Sequence, residues 1–257
     1  MTMNLHTILK SVEKPGRYTG GEWGQTIKDK NAVDVRFAFC FPDNYEIGMS
    51  NLGIRILYGV LNNEENVWCE RAYAPWPDME EKMREYGIPL YAHESGDPLS
   101  DFDIVGFTLQ YELCYTNVLN MLELGGIPLL ASERGENDPI IIGGGPCAYN
   151  AEPIADFFDV LDIGEGEEML PRFTRMYAKM KREGASRAEI LRATSHLDGF
   201  YVPALYEVEY GADGTISSFE PKYDDIPRTV QKQIIADLDS VYFPDKFVMP
   251  YIETVHD

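Results

Sequence analysis

Five short apolar segments alternate with amphipathic segments along most of the chain. They are rich in aromatic and β-branched residues, and they lie at Val35–Phe41, Val67–Tyr73, Ile104–Thr108, Ile140–Ile142 and Val160–Ile163. Continuous apolar runs of this length are typical of strands that are buried on both faces of a parallel sheet. A short extra strand is predicted at one edge, near residues 88–91.

The segments between these strands have the periodicity of helices. Ser50 is a good N-cap residue for one helix, and further helices are predicted over Pro77–Tyr86, over Leu113–Leu124 and after the fifth strand. Strands and helices in alternation predict right-handed crossovers and a doubly wound sheet. The predicted fold class is therefore α/β, with a flavodoxin-like, doubly wound, mainly parallel five-stranded sheet and a small C-terminal β-rich appendage.

The pattern changes near Asp198. Residues Tyr206–Tyr210 and Thr215–Phe219 flank a glycine-containing turn and predict a hairpin. We divide the chain into an N-terminal extension at 1–32, an α/β domain at 33–197, and an appendage and connector at 198–257. The last residues show no closing element, so we expect the sequence to be part of a longer protein.

The charge of the chain disfavours two classes of partner. The sequence has 43 acidic and 22 basic residues, and its formal net charge is −21. Such a surface repels nucleic-acid phosphates and anionic lipids, so no direct nucleic-acid partner is expected. No run approaches the ~18 apolar residues of a membrane span, and the N-terminus lacks the apolar core of a signal peptide. We expect no membrane partner and a cytoplasmic location.

The four cysteines are far apart in the sequence, at Cys40, Cys69, Cys114 and Cys147. They form no CxxC pair, and we interpret each as a small hydrophobic residue. No metal site is predicted in this chain.

Glycine-rich loops follow the fourth and fifth predicted strands. Residues 143–146 read Gly-Gly-Gly-Pro, and residues 164–167 read Gly-Glu-Gly-Glu. Bare backbone at the carboxyl end of a strand permits close approach of a ligand, although a tight turn explains the first loop equally well. The glutamates of the second loop would repel a phosphate, and their placement at the start of a helix is favourable in itself.

These paired loops resemble those of the cobalamin-binding domain of radical S-adenosylmethionine (SAM) proteins. The resemblance is carried by Gly144-Gly145-Pro146, by Gly164-Glu165-Gly166-Glu167 and by a Ser-Asn-Leu-Gly helix start at residues 50–53, and it covers residues 33–185. It implies a cobalamin-binding domain whose partner is the radical SAM barrel of the full-length protein, an Fe–S oxidoreductase or methyltransferase.

The loop after the first strand departs from the pattern of this resemblance. Cobalamin domains of the methionine synthase type carry Asp-x-His-x-x-Gly, in which the histidine ligates cobalt. Residues 43–48 here read Asp-Asn-Tyr-Glu-Ile-Gly, which puts Tyr45 at the histidine position. A neutral phenol is a poor ligand, so cobalamin is expected without a histidine below cobalt. No closely spaced cysteine triplet is present, so the [4Fe-4S] cluster and SAM are expected only in the missing barrel, and this chain alone is not expected to be catalytic.

The resemblance and the expected topology together predict the cofactor-binding residues. Residues of the first-strand loop are expected at the lower face of cobalamin, those after the third strand at the switch point, and the glycines after the fourth strand beside the nucleotide tail. The full set is Asp43, Tyr45, Gly48, Met49, Ser50, Thr108, Gln110, Gly143, Gly144, Gly145, Pro146, Glu165 and Gly166.

Other functions of similar folds agree less well with the sequence. No GxGxxG follows the first strand, no aspartate ends the third, and the first loop is nearly free of the hydroxyls of a flavin phosphate site. The remaining alternative keeps the fold and drops the cofactor. In that case the domain is a structural or substrate-docking module of a radical SAM Fe–S protein.

Overall fold

The computed structural model describes residues 5–249, which have a mixed α/β fold. The helices are α1 (Leu5–Leu9), α2 (Tyr45–Ser50), α3 (Leu52–Asn62), α4 (Pro77–Tyr86), α5 (Tyr115–Leu124), α6 (Gly166–Arg182) and α7 (Arg187–Thr194). The strands are β1 (Val35–Phe41), β2 (Val67–Tyr73), β3 (Ile104–Thr108), β4 (Ile140–Gly144), β5 (Val160–Asp162), β6 (Phe200–Tyr201), β7 (Tyr206–Tyr210) and β8 (Ile216–Pro221). Among these helices, none has the length and apolar character to cross a membrane.

Six strands form the main sheet in the order β2-β1-β3-β4-β5-β6. The first five run parallel, in the flavodoxin-like order, and β6 pairs antiparallel with β5. The prediction of five strands is therefore wrong by one. The sixth strand has only the two residues of Phe200–Tyr201, too few to show a period in the sequence.

A separate two-stranded antiparallel sheet consists of β7 and β8. This confirms the predicted hairpin. The prediction of an extra strand near residues 88–91 is wrong, because Tyr91 makes only an isolated bridge with Pro98.

Hydrophobic clusters cover both faces of the main sheet. The cluster on one face includes residues of α3, α6 and α7, namely Ile54, Leu61, Phe173 and Ile190. The cluster on the other face includes residues of α1, α4 and α5, namely Ile8, Met79, Met83, Val118 and Met121. Burial on both faces explains why the parallel strands are continuous apolar runs in the sequence.

The loop after β1 contains a helix that was not predicted. Asn44 caps α2, its side-chain oxygen accepting from Ile47 N at 3.1 Å. Asn51 caps α3 in the same way, so the prediction of Ser50 as the N-cap is wrong. Ser50 ends α2 instead, and its hydroxyl donates to the carbonyl oxygen of Glu46. Asparagine and serine cap helices about equally well, so the sequence alone could not decide whether Ser50 or Asn51 caps α3.

The outer edge of β2 is covered by other parts of the chain. Lys28 Nζ donates to the carbonyl oxygen of Val67 at 2.6 Å. The Asn62 side chain bonds both the backbone N and the backbone O of Cys69. At Arg71, the backbone N donates to the Glu94 carboxylate and the backbone O accepts from His93 N. Residues outside the strand thus satisfy outward backbone groups of Val67, Cys69 and Arg71.

The N-terminal segment, predicted as an extension, packs against the α/β domain. Ile8 is fully buried in the core. The Trp68 indole donates to Thr26 O at 3.0 Å, and Arg71 pairs with Glu22 at 2.9 Å. These contacts join residues before β1 to β2.

Candidate functional site

A cavity of about 200 Å³ lies at the carboxyl edge of the main sheet, between the sheet and helices α3 and α6. The loops after β3, β4 and β5 meet there, next to the point between β1 and β3 where the strand order reverses. Doubly wound folds bind ligands at such switch points. Pockets for drug-sized molecules have ~300–1,000 Å³, so this cavity suits a ring or a fragment of a larger ligand.

Apolar side chains and bare backbone form most of the cavity wall. The apolar residues are Phe37, Phe39, Leu57, Phe107, Ile142 and Leu170, and the glycines are Gly53, Gly106, Gly144, Gly145, Gly164 and Gly166. A Cβ on Gly106 would lie 2.5 Å from Cζ of Phe37, and one on Gly144 would overlap the Asp162 carboxyl. Gly145 has a φ of +103°, which disfavours any other residue. These positions therefore require glycine for the observed wall.

The polar groups of the cavity come from the strand ends and from the start of α6. Thr108 ends β3 and Gln110 follows it, and the Gln110 amide donates to the Thr108 hydroxyl. Asp162 ends β5, and Glu165 and Glu167 follow it. The lining contains no lysine, arginine or histidine. The cavity is therefore acidic and has no basic side chain to pair with a phosphate.

Asp162 is a polar cavity residue that was not among the predicted site residues. It is 6% exposed, and burial together with the charge of Glu167 raises its pKa to about 7. Within residues 5–249 no group donates a hydrogen bond to its carboxyl. The sequence offered one signal, an aspartate directly before a glycine-rich loop at a strand end, but the fifth strand was predicted to continue through it to Ile163.

Glu165 joins the cavity rim to a distant segment. Its carboxylate accepts from Ile235 N, and Gly164 forms an isolated parallel bridge with Gln233. A Cβ on Gly164 would meet the Gln233 backbone, and its φ of +155° also disfavours a side chain. The second glycine-rich loop thus holds residues 233–235 beside the cavity.

Tyr45 lies in a filled part of the structure, away from the cavity. Its hydroxyl is 3.0 Å from Glu22 Oε1 and 2.7 Å from Met249 Sδ, and its ring stacks on His93 at 5.7 Å. The space beside it is about 10 Å³, and a single water needs about 10–15 Å³. Burial and the Glu22 charge raise the pKa of Tyr45, which disfavours the phenolate needed to ligate a metal.

The rest of the first-strand loop packs against β2 and the loop after β3. Met49 is buried, and its sulfur accepts from the Tyr73 hydroxyl at 2.9 Å. A Cβ on Gly48 would meet the same tyrosine ring. Asp43 accepts from the Tyr111 hydroxyl at 3.2 Å. This loop is a packed unit with its own internal contacts.

The structure thus divides the predicted site residues into two groups. Those that line the cavity are Thr108, Gln110, Gly144, Gly145, Glu165 and Gly166. Those outside its lining are Asp43, Tyr45, Gly48, Met49, Ser50, Gly143 and Pro146. Gly143 faces the opposite side of the sheet, where a Cβ would meet Phe158, and Pro146 begins a 3₁₀ turn.

The part of the chain that the structure describes contains no group of three or more His, Cys, Asp or Glu side chains placed to hold a metal ion. All four cysteines are buried and outside disulfides. Burial raises the pKa of the Cys40 and Cys69 thiols, which keeps them protonated and unreactive.

A comparison with known protein families identifies the family of this chain. Residues 53–203 match the family described as radical SAM proteins, N-terminal. The chain belongs to this family. The radical SAM N-terminal match runs from the start of α3 to just after β6, so it contains the cavity lining except the part that β1 contributes.

One curated relative of this radical SAM N-terminal domain is uncharacterized protein MJ0966 of Methanocaldococcus jannaschii. The two are 29% identical over 133 residues, which cover 51% of this chain and 24% of that protein. The match thus spans about a quarter of the relative's length. No solved structure matches the chain significantly.

Proposed function

We propose that this domain binds cobalamin at the carboxyl edge of its sheet and presents it to the radical SAM barrel of the full-length protein. The glycine-lined cavity beside the switch point carries the proposal. Cobalamin combines a large corrin ring with a nucleotide tail that ends in a flat bicyclic base. A cavity of about 200 Å³ has room for that base but not for the corrin.

The residues present fit the tail of cobalamin better than its cobalt. Gly144 and Gly145 would flank the tail, and Thr108 and Gln110 offer a hydroxyl and an amide at the rim. Tyr45 is held by Glu22 in its neutral form and is not available to cobalt. In this proposal the domain therefore binds the cofactor mainly through its tail. When bound, cobalamin would supply methyl transfer or other radical chemistry to the full-length enzyme.

Absorbance titration of the chain with cobalamin and with cobinamide, which lacks the nucleotide tail, tests the proposal. Cobalamin should bind and shift its absorption bands. Cobinamide should bind at least about tenfold more weakly, because burial of a bicyclic base stabilises the complex by more than the about 1.4 kcal/mol that a factor of ten represents. Equal binding of the two corrinoids would refute tail recognition, and unchanged bands would refute the function.

A cavity-filling variant makes the test specific to this site. Leu57→Trp places an indole in the cavity wall and should abolish cobalamin binding. Leu52→Trp is the matched control on the same helix, because Leu52 is 48% exposed and outside the lining. Equal affinity of Leu57→Trp and the unmodified chain would place cobalamin elsewhere.

A docking module for the barrel is the second candidate function. It is favoured by exposed apolar side chains in the loops after β3 and β4, where Leu113 is 83% exposed, Tyr149 52% and Tyr111 43%. Such side chains at one edge suit contact with another protein surface. This candidate is favoured if the cobalamin bands stay unchanged on mixing.

A further inference from the structure

The Asp162 carboxyl lies in surroundings that favour a bound ligand. It lines the cavity, is 6% exposed, and receives no hydrogen bond within residues 5–249. Buried polar groups are normally paired, because an unpaired one costs about 1–3 kcal/mol or more. The nearest titratable side chains of the lining, Glu165 and Glu167, are acidic as well and cannot donate when ionised. A molecule that enters the cavity and offers a hydrogen bond would satisfy this group.

The same surroundings favour the neutral carboxylic acid over the carboxylate. A neutral carboxyl presents an O–H donor and a carbonyl acceptor side by side. The complementary ligand edge has a ring nitrogen that accepts a hydrogen bond beside an exocyclic N–H that donates one. This is the amidine edge of adenine. Dimethylbenzimidazole, the base of cobalamin, has the ring nitrogen but lacks the adjacent N–H, so the Asp162 carbonyl oxygen would remain unpaired.

The cavity walls agree with a flat ring as the ligand. Phe37, Phe39 and Phe107 supply aromatic surface, and Leu57 and Leu170 supply aliphatic surface. Aromatic rings pack favourably against such walls. The absence of basic residues from the lining disfavours a phosphate inside the cavity, so the base itself is the part expected there.

We propose that the cavity binds an adenine-like base, with Asp162 pairing to its amidine edge. The inference deepens the proposed function and rests on it where the base belongs to a corrinoid, namely a cobamide with adenine as its lower base. The second source of the same chemistry is a free adenosine.

Equilibrium dialysis of the full chain with three probes tests this inference. The probes are adenosine, the adenine-containing cobamide, and cobalamin. At pH 6 the adenine cobamide should bind about tenfold or more tighter than cobalamin, because a bidentate pair with a base discriminates by about that much. Adenosine should compete with the adenine cobamide if the base is the part recognised. Equal affinity for the two corrinoids overturns the inference.

The pH dependence gives a second readout. Raising the pH from 6 to 8.5 passes through the Asp162 pKa of about 7 and removes the O–H donor. The affinity for both adenine ligands should therefore fall. Glu165 and Glu167 are the other titratable groups of the lining, while Thr108 and Gln110 are uncharged.

Two substitutions of similar size separate the effect of Asp162 from that of Glu165 and Glu167. Asp162→Asn keeps an acceptor and a donor at every pH, so it should retain the preference for adenine and lose the pH dependence. Asp162→Leu removes both the donor and the acceptor, so this variant should bind the adenine cobamide and cobalamin with about equal affinity at either pH. Thermal unfolding of each variant checks that it is folded. A Leu variant that keeps the preference overturns the role of Asp162.

The outcomes distinguish this inference from the proposed function. Corrinoid binding without a preference for the base supports cobalamin binding and overturns the adenine proposal. Adenosine binding without corrinoid binding supports the base site and overturns the corrinoid function. Failure of all three probes to bind overturns both.

Discussion

Two aspartates at opposite ends of β5 have opposite surroundings. Asp159, just before the strand, accepts from Arg134, Arg187 and the backbone of Ile141. Asp162, at the carboxyl end, has no donor in the described chain, and its pKa is raised to about 7. Stabilising contacts surround the first residue, whereas an open cavity adjoins the second. This contrast is what separates a structural carboxylate from a ligand-binding candidate.

The free energy of unfolding should fall with rising pH because of Asp162. Between pH 3.8, its ordinary pKa, and about 7, the unfolded carboxyl loses its proton while the folded one keeps it. The unfolded state then binds fewer protons, so stability decreases through this window, by up to about 4 kcal/mol at about 1.4 kcal/mol per pKa unit. Urea unfolding at pH 4.5 and 8 should show a smaller loss in Asp162→Asn than in the unmodified chain. Parallel losses would contradict the raised pKa.

Part of the site could be predicted from single loops in the sequence. Thr108, Gly144 and Glu165 meet because the carboxyl ends of parallel strands share one edge, which the strand pattern already implied. The position of Tyr45 could not be predicted in this way. Its partners Glu22 and Met249 are distant in the sequence, and no local pattern indicates that they fill the space beside it.

At the scale of elements, burial decided which predictions were correct. The bounds of β1, β2, β3 and α4 agree with the predictions, because strands buried on both faces and a helix ended by glycine have strong local signals. The elements that were not predicted are short: α1 has five residues, α2 six, α7 eight and β6 two. Pairing of β6 with β5 depends on tertiary packing rather than on its own sequence.

The buried ion pair before β5 should contribute strongly to stability. Asp159 is 2% exposed and links β4, the loop of Arg134 and helix α7. Asp159→Ala leaves the buried Arg134 without its partner, so the free energy of unfolding should fall by about 3–5 kcal/mol. Urea denaturation measures this loss.

An exposed ion pair provides the control for this prediction. Asp225 pairs with Arg192, and both side chains are nearly half exposed. Asp225→Ala should cost at most about 1 kcal/mol. Similar losses in the two variants would show that burial does not set the strength of these pairs.

At the scale of the whole molecule, the N-terminal segment forms one unit with the sheet. Glu22 accepts from the Arg71 guanidinium at 2.9 Å and from the Tyr45 hydroxyl at 3.0 Å. It therefore connects the segment before β1 to both β2 and α2. The charged pair is nearly inaccessible to water, with side-chain exposures of 2% and 8%.

Removal of this carboxylate should weaken the molecule as a whole. Glu22→Ala should lower the free energy of unfolding by about 2 kcal/mol, as expected for hydrogen bonds to a charged group. The loss is moderate because Arg71 retains Glu94 as a partner. Glu13→Ala, in the same segment but exposed, should change stability by less than about 0.5 kcal/mol. Chemical denaturation that gives equal values for the two variants would argue against the connecting role of Glu22.

The covered edge of β2 limits how this molecule can associate with another chain. Lys28, Asn62 and Glu94 already occupy the backbone groups that an incoming strand would need. At the opposite edge, β6 offers only two residues as a template. A donated strand would therefore find few free backbone groups at either margin of the six-stranded sheet, and association at these two margins has to form through side chains and loops.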